Sequence, residues 1–269
     1  MKKGWKILFV SLVLFLLYAP IVILAVYSFT DAANIGTIRN FSIGNYVTLF
    51  TTQELTDMIL GTVLLALGAA LLATILGTLG AIGSFYSGRR MSAAISTMNQ
   101  VPVVNADVVT GFSICILLVV VLGVSKETYI PLVAGHVTLC APFVYLSVIP
   151  KLKQMDQSIY EAALDLGATP FTALFKVVIP QIFSGVLFGF VLAVTLSLDD
   201  YFVATYTKPA TFDTISTYVV NATKGSQTTI KTALWALSTV IFLIVLLLVL
   251  GMNLWTAKKT KQNVGGKRI

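Results

Sequence analysis

The sequence predicts an all-α membrane protein that crosses the bilayer six times. Three observations carry this reading. Of 269 residues, 57% are hydrophobic and 11% charged, and the mean hydropathy is +0.91; soluble chains carry about 25% charged residues. The apolar residues collect into six stretches, over about 7–29, 58–86, 101–124, 131–150, 183–198 and 232–255, near the ~20 residues that span a hydrocarbon core. The cations are shared unevenly between the two sides those spans would create. The first segment, the Arg89-Arg90 loop, the 151–182 loop and the tail hold 13 Lys and Arg, and the opposite side holds 5. By the positive-inside rule both termini and the 151–182 loop face the cytoplasm.

Each element follows from local chemistry. Lys2, Lys3 and Lys6 precede the first apolar run, which exceeds the ~7–15 residues of a signal-peptide core and so reads as an uncleaved anchor. Pro20 kinks it without ending it. A polar connection over 31–57 carries Phe41-Ser-Ile-Gly-Asn-Tyr46. The second span holds Gly77, Gly80 and Gly83 at three-residue spacing, small residues that let helices approach closely in lipid. The third has a polar entry, Asn99, Gln100, Pro102, Asn105 and Asp107. Asp107 reads either as a charge favoured at a helix N-terminus or as a carboxylate facing an internal cavity. Pro142 lies inside the fourth span, and Asp199-Asp200 end the fifth. The basic tail over 257–269 contains Gly265-Gly266 and is expected to be disordered.

The composition also excludes functions. The cations sit at span ends rather than on one patch, which argues against nucleic-acid binding. Cys115 and Cys140 fall within apolar spans and read as small buried thiols. His136, the single histidine, also lies within a span; hydrogen bonding inside the bundle is expected of it rather than metal ligation. No metal site and no nucleophile–base set stands out. No G-x-x-x-x-G-K-[ST] phosphate loop occurs, so the chain is expected to be a non-enzyme that binds no ATP.

The most informative stretch runs from Glu161 to Pro180. Ser158 and Glu161 have the S-x-x-E spacing of a capping box, which predicts a helix from about Ile159. Gly167 tolerates positive φ and would stop it. Thr169-Pro170 reads as N-cap and first residue of a second helix, on which Phe171, Leu174, Phe175 and Val178 form one apolar stripe. Glu161-Ala162-Ala163, Gly167 and Pro180 resemble the EAA signature of permease subunits of binding-protein-dependent ABC importers. In that family the pattern is E-A-A, three residues, G, nine residues, I-x-L-P; Val177 and Ile179 replace the Ile and Leu here, with every spacing kept. Phe41–Tyr46 resembles the family's F-S-L-x-N-Y/F entry to the second span.

The resemblance implies a type I ABC importer permease fold in the cell membrane. It implies that 151–182 is a cytoplasmic coupling loop seated on an ATPase subunit, with ATP and Mg held by that partner and no cofactor in this chain. A second permease, two ATP-binding cassette subunits and an extracellular or periplasmic binding protein would complete the assembly. ATP-driven closure of the ATPases would rock the spans between inward- and outward-open states.

Ser197-Leu-Asp199-Asp200-Tyr-Phe-Val-Ala-Thr-Tyr206 is the second informative stretch. Carboxylates at a span end face water or a cation, and Tyr201, Phe202 and Tyr206 add faces that attract ammonium groups. Such a set suits a polyamine, although both aspartates could equally face external solvent in a loop. Adjacent helical residues point about 100° apart, so one of the pair is expected to face a pathway. Together with 211–219 and Asn105-Ala-Asp107-Val-Val-Thr-Gly111, this stretch is similar to the C-type permease subunits of spermidine/putrescine importers; Tyr201-Phe202 stand where small aliphatic residues are usual there. The resemblance implies a substrate pathway at Asp107, Asp199, Asp200 and Tyr201. Another organic solute or an ion remains an alternative cargo, and a secondary transporter driven by an ion gradient an alternative class.

Overall fold

A computed structural model describes residues 3–32, 40–224, 232–247 and 250–251. In chain order the helices are α1 (Lys3–Ser28), α2 (Gly44–Thr51), α3 (Gln53–Tyr86), α4 (Arg89–Val104), α5 (Asp107–Cys115), α6 (Ile130–Gln154), α7 (Gln157–Asp165), α8 (Pro170–Ala173), α9 (Ile179–Asp199), α10 (Phe202–Thr207), α11 (Ile215–Lys224) and α12 (Thr232–Leu247). A π-helical segment, Ile116–Val121, prolongs α5, and a second, Leu174–Val178, joins α8 to α9. The described residues form no strand beyond one isolated bridge between Thr30 and Phe41. The expected tail over 257–269 and the end of the sixth span lie outside the described residues.

The chain divides into two compact units, Met1–Asp57 with Val219–Ile269, and Met58–Tyr218. In the first, the Phe41–Tyr46 stretch closes onto the end of α1. Asn45 is buried and its Nδ2 donates to the carbonyls of Ser28 and Thr30 at 3.1 and 3.0 Å. The Ser28 and Tyr46 hydroxyls are 2.9 Å apart, and Phe29 stacks between Phe41 and Tyr46. These bonds satisfy the carbonyls that α1 leaves open at its C-terminus.

The second unit is organised on α3, α6 and α9. Ala70, Ala73 and Ala81 from α3, Val144, Val148 and Leu152 from α6, and Ile182 and Ala193 from α9 form its core. Where helices meet in lipid, close van der Waals packing has to do the work that hydrophobic burial does in water. Gly77 makes that possible between α3 and α6: a Cβ there would stand 2.6 Å from the Ala141 carbonyl oxygen. Gly83 meets nothing and Gly80 only an ordinary contact, so the three glycines do not form the shared packing face their spacing suggests.

Among the described residues, four helical stretches are long and apolar enough to cross a bilayer: Ile7–Ser28, Gln53–Tyr86, Ile130–Gln154 and Pro170–Asp199. The chain is thus a multi-pass membrane protein. The stretch expected as a straight third span, 101–124, is instead broken. Arg89–Val104 and Asp107–Val121 meet at a bend of 107°, so the segment after Arg89-Arg90 is helix rather than loop. The cause lies in two residues. Asn105 and Ala106 are both extended, with ψ of 148° and 136°, and Asn105 donates from Nδ2 to Thr110 Oγ1 at 3.2 Å, the local bonding by which Asn leaves a helix.

Candidate functional site: an elbow and a carboxylate end

The two informative stretches lie at opposite ends of α9, whose 21 residues separate them by about 30 Å at ~1.5 Å per residue.

At the first end α6 runs into α7. The α7 N-cap is Asp156, not Ser158: its Oδ1 accepts from the Ser158 backbone N–H at 3.0 Å. The expected capping box does not form and a simple N-cap two residues earlier takes its place, because a carboxylate beside the helix start outcompetes the neutral hydroxyl downstream. Hydrogen bonds from the Ser158 side chain and backbone hold the Asp156 carboxyl below its ordinary pKa. Gly167 closes α7 as expected. Its φ is +84°, its N–H donates to the Leu164 carbonyl at 2.9 Å, and the next N–H, from Ala168, reaches back to Ala163 at 3.0 Å. This is the paired bonding of a Schellman stop. Thr169 then caps α8, accepting from Thr172 N–H at 3.3 Å, with Pro170 first in the helix.

Glu161 and Ala162 are exposed on α7, Ala163 is half-buried, and Tyr160 packs inward against Tyr86, 5.1 Å between ring centroids. The stripe expected of Phe171, Leu174, Phe175 and Val178 is divided. Val178 is buried and Leu174 packs on the core, whereas Phe171 and Phe175 stack on each other and remain 74% and 58% exposed. The π segment is the reason, since its i→i+5 bonds turn each residue through a smaller angle than an α-helix does. Pro180 follows directly, exposed in the first turn of α9. Leu166, at the end of α7, is also exposed, at 89%.

The other end gathers Asp107, Asp199 and Asp200. Asp199 is exposed at the last position of α9, and Asp107 is exposed at the first position of α5. Their charges are near enough to act on Asp200. Asp200, in contrast, is 7% exposed. Its Oδ1 and Oδ2 accept from the backbone N–H groups of Val203 and Ala204 at 3.2 and 2.7 Å, capping α10. Asp200 is therefore not a solvated loop carboxylate, whereas Asp199 is exposed. Tyr201 is half-buried and meets Phe202 edge-on at 5.3 Å, while Tyr206 meets Phe112 at 5.7 Å.

Two further contributors carry no local signal. His136 is fully buried, with Nδ1 2.8 Å from Ser197 Oγ and Nε2 3.7 Å from Asp200 Oδ2. Ser216 Oγ donates to the Asp200 carbonyl at 2.6 Å. Only the fold brings α6, α9 and the start of α11 to one aspartate. No cluster of three or more potential metal ligands occurs among the described residues. Both cysteines are free thiols, Cys140 buried with Sγ 3.4 Å from the Ala193 carbonyl.

Residues 73–262 match the family described as binding-protein-dependent transport system inner membrane component. The chain is 32% identical over 210 residues to the putrescine transport system permease protein PotI of Escherichia coli strain K12, covering 76% of this chain and 75% of that one. It is 30% identical over 249 residues to the spermidine/putrescine transport system permease protein PotC of the same strain, covering 93% and 92%. Its fold is similar to a chain of a bacterial alginate ABC transporter solved in complex with an alginate-bound periplasmic protein, with a TM-score of 0.72 at 18% identity over 96% of this chain and 94% of that chain. The protein therefore belongs to the family of binding-protein-dependent inner membrane transport components.

Proposed function

We propose that this chain is one of two permease subunits of an ATP-driven polyamine importer in the cytoplasmic membrane. Six spans place both termini and the elbow in the cytoplasm, with the broken α4–α5 pair and α12 completing the set. The single observation that carries the reading is the elbow: a Schellman-closed helix and a capped second helix at Glu161–Pro180 present Leu166, Phe171 and Phe175 outward. An apolar surface of that kind on a cytosolic face needs a partner to cover it, and a groove on each of two ATPase subunits is the partner proposed. ATP and Mg belong to those subunits, and this chain contributes no cofactor.

An external binding protein delivers the substrate to the carboxylate end. Asp107, Asp199, Asp200 and Tyr201 stand at the mouth of a pathway enclosed with the second permease, and their negative charge and aromatic faces attract ammonium groups. The similarity to PotI and PotC supports putrescine or spermidine as the cargo. When the ATPases close on ATP, the elbow moves with them, and the helices it joins tilt the pathway from one opening to the other.

Uptake of labelled putrescine and spermidine by proteoliposomes holding the copurified complex tests this. Asp199→Asn and Asp200→Asn are each expected to lower uptake by about tenfold, the loss that goes with roughly 1.4 kcal/mol of ion attraction. Uptake unchanged in both variants would remove polyamines as the cargo.

A further inference from the structure

The carboxylate just after α9, that of Asp200, does two things at once, and the second is not explained by a pathway. Both Asp200 oxygens are committed to the backbone of α10, and its carbonyl is held by Ser216. Across from it stands His136 on α6, whose Nε2 is buried with no hydrogen-bond partner and 3.7 Å from Asp200 Oδ2. An unpaired ring nitrogen in a protein interior is costly, so its placement beside the cap of another helix has a reason.

The seat of α10 supplies it. Val203 lies on Gly111 of α5 and Gly135 of α6: a Cβ on Gly111 would stand 2.8 Å from Val203 Cα, and one on Gly135 would stand 2.6 Å from Val203 Cγ1. Val203, Ala204 and Thr207 are buried there, while Phe202 and Thr205 face outward. A six-residue helix does not hold its own shape in isolation. What fixes it is the glycine notch below and the Asp200 cap at its start, and His136 follows Gly135 in the chain and reaches that cap.

We infer that His136 is a positioning residue. One tautomer fits both neighbours: Nδ1 accepts from the Ser197 hydroxyl, and the Nε2–H faces the Asp200 carboxylate. In that arrangement His136 and Asp200 latch α10 into its notch and so set where Tyr201, Phe202 and the free Asp199 carboxylate stand at the mouth. Asp200 is the fixed member of the pair and Asp199 the one left for cargo. The transport consequence rests on the importer reading above; the latch itself does not.

A cysteine at Val203, in a Cys115→Ser background with Cys140 left buried, reads the latch directly through its reaction with a membrane-impermeant maleimide. The Val203→Cys protein is expected to label slowly. Adding His136→Leu should speed labelling about tenfold, the change that goes with losing ~1.4 kcal/mol of attraction between the Nε2–H and the carboxylate, and His136→Gln, which keeps an N–H donor, should restore the slow rate. If His136→Leu does not accumulate in the membrane, Asp200→Asn, which retains one cap acceptor, probes the same contact and should also speed labelling. Labelling that is fast without any second change, or equally slow with leucine, glutamine and histidine at 136, overturns the latch. In uptake assays His136→Leu should raise the putrescine concentration giving half-maximal rate more than it lowers the maximal rate, with His136→Gln near normal. A wild-type complex that fails to take up polyamines would count against the cargo and leave the labelling result standing.

Discussion

At Gly167 the chain adopts φ of +84°, a conformation that costs a residue with a Cβ roughly 1–2 kcal/mol. Gly167→Ala should therefore loosen the elbow without unfolding the protein. Gly167→Pro cannot reach that angle at all, since its ring fixes φ near −65°, and it also removes the N–H that closes α7. We expect Gly167→Pro to reach the membrane at normal levels and to transport nothing, as immunoblotting and uptake on the same vesicles would show; a normal transport rate would mean that the elbow does not transmit motion. Gly167 and the Thr169-Pro170 start were legible in the sequence because each is governed by its own dihedral angles and nearest neighbours. His136 was legible only as a polar residue inside the bundle. Its partners Ser197 and Asp200 lie more than 60 residues away, and no spacing rule connects them.

Among the elements, α7 depends on how it begins. The Asp156 carboxylate holds the Ser158 N–H and is stabilised in its charged form by that contact. A lowered carboxylate pKa contributes stability that is complete above the ordinary range and is lost as pH falls through the shifted value. The cap should accordingly persist through neutral and mildly acidic pH and fail only below the usual carboxylate range. Hydrogen exchange read at the first turn of α7 should accelerate in Asp156→Ala and stay slow in Asp156→Asn, which is also a good N-cap; exchange in Asp156→Ala as slow as in the unaltered chain would show that the cap is dispensable. The sequence pointed to a helix here and misplaced its start by two residues, since two cap-forming side chains stand close together and their competition is settled by charge. The broken third span was less legible. Hydropathy sums composition and is blind to direction, so 101–124 reads as one apolar run although Asn105 and Ala106 turn the chain by 107°. Pro102 and Asn105 were the available warning.

On the scale of the whole molecule, the exposed aromatic pair is the surface we propose for docking the ATPase. Buried aromatic anchors at interfaces cost about 2 kcal/mol or more when truncated, a loss of ~30-fold in affinity each. The doubly substituted Phe171→Ser, Phe175→Ser chain should stay in the membrane and lose ATPase subunits on copurification; retention at the normal ratio would place the docking surface elsewhere. The general architecture was legible from composition and from the EAA spacing, because lipid imposes helices and the spacing fixes where the elbow falls. The setting of Asp200 was not, since His136 of α6, Ser197 of α9 and Ser216 of α11 gather around it only through packing.

The helix from Pro170 to Asp199 continues for 30 residues, about 45 Å at ~1.5 Å per residue. Were it to move as one rod, its two tips would be coupled. A swing of about 10° at the phenylalanine tip carries the aspartate tip about 8 Å, by the same rise per residue. That is wider than a chain of methylenes and amines, so on the importer reading proposed above a modest nudge at the elbow would be enough to open the carboxylate end.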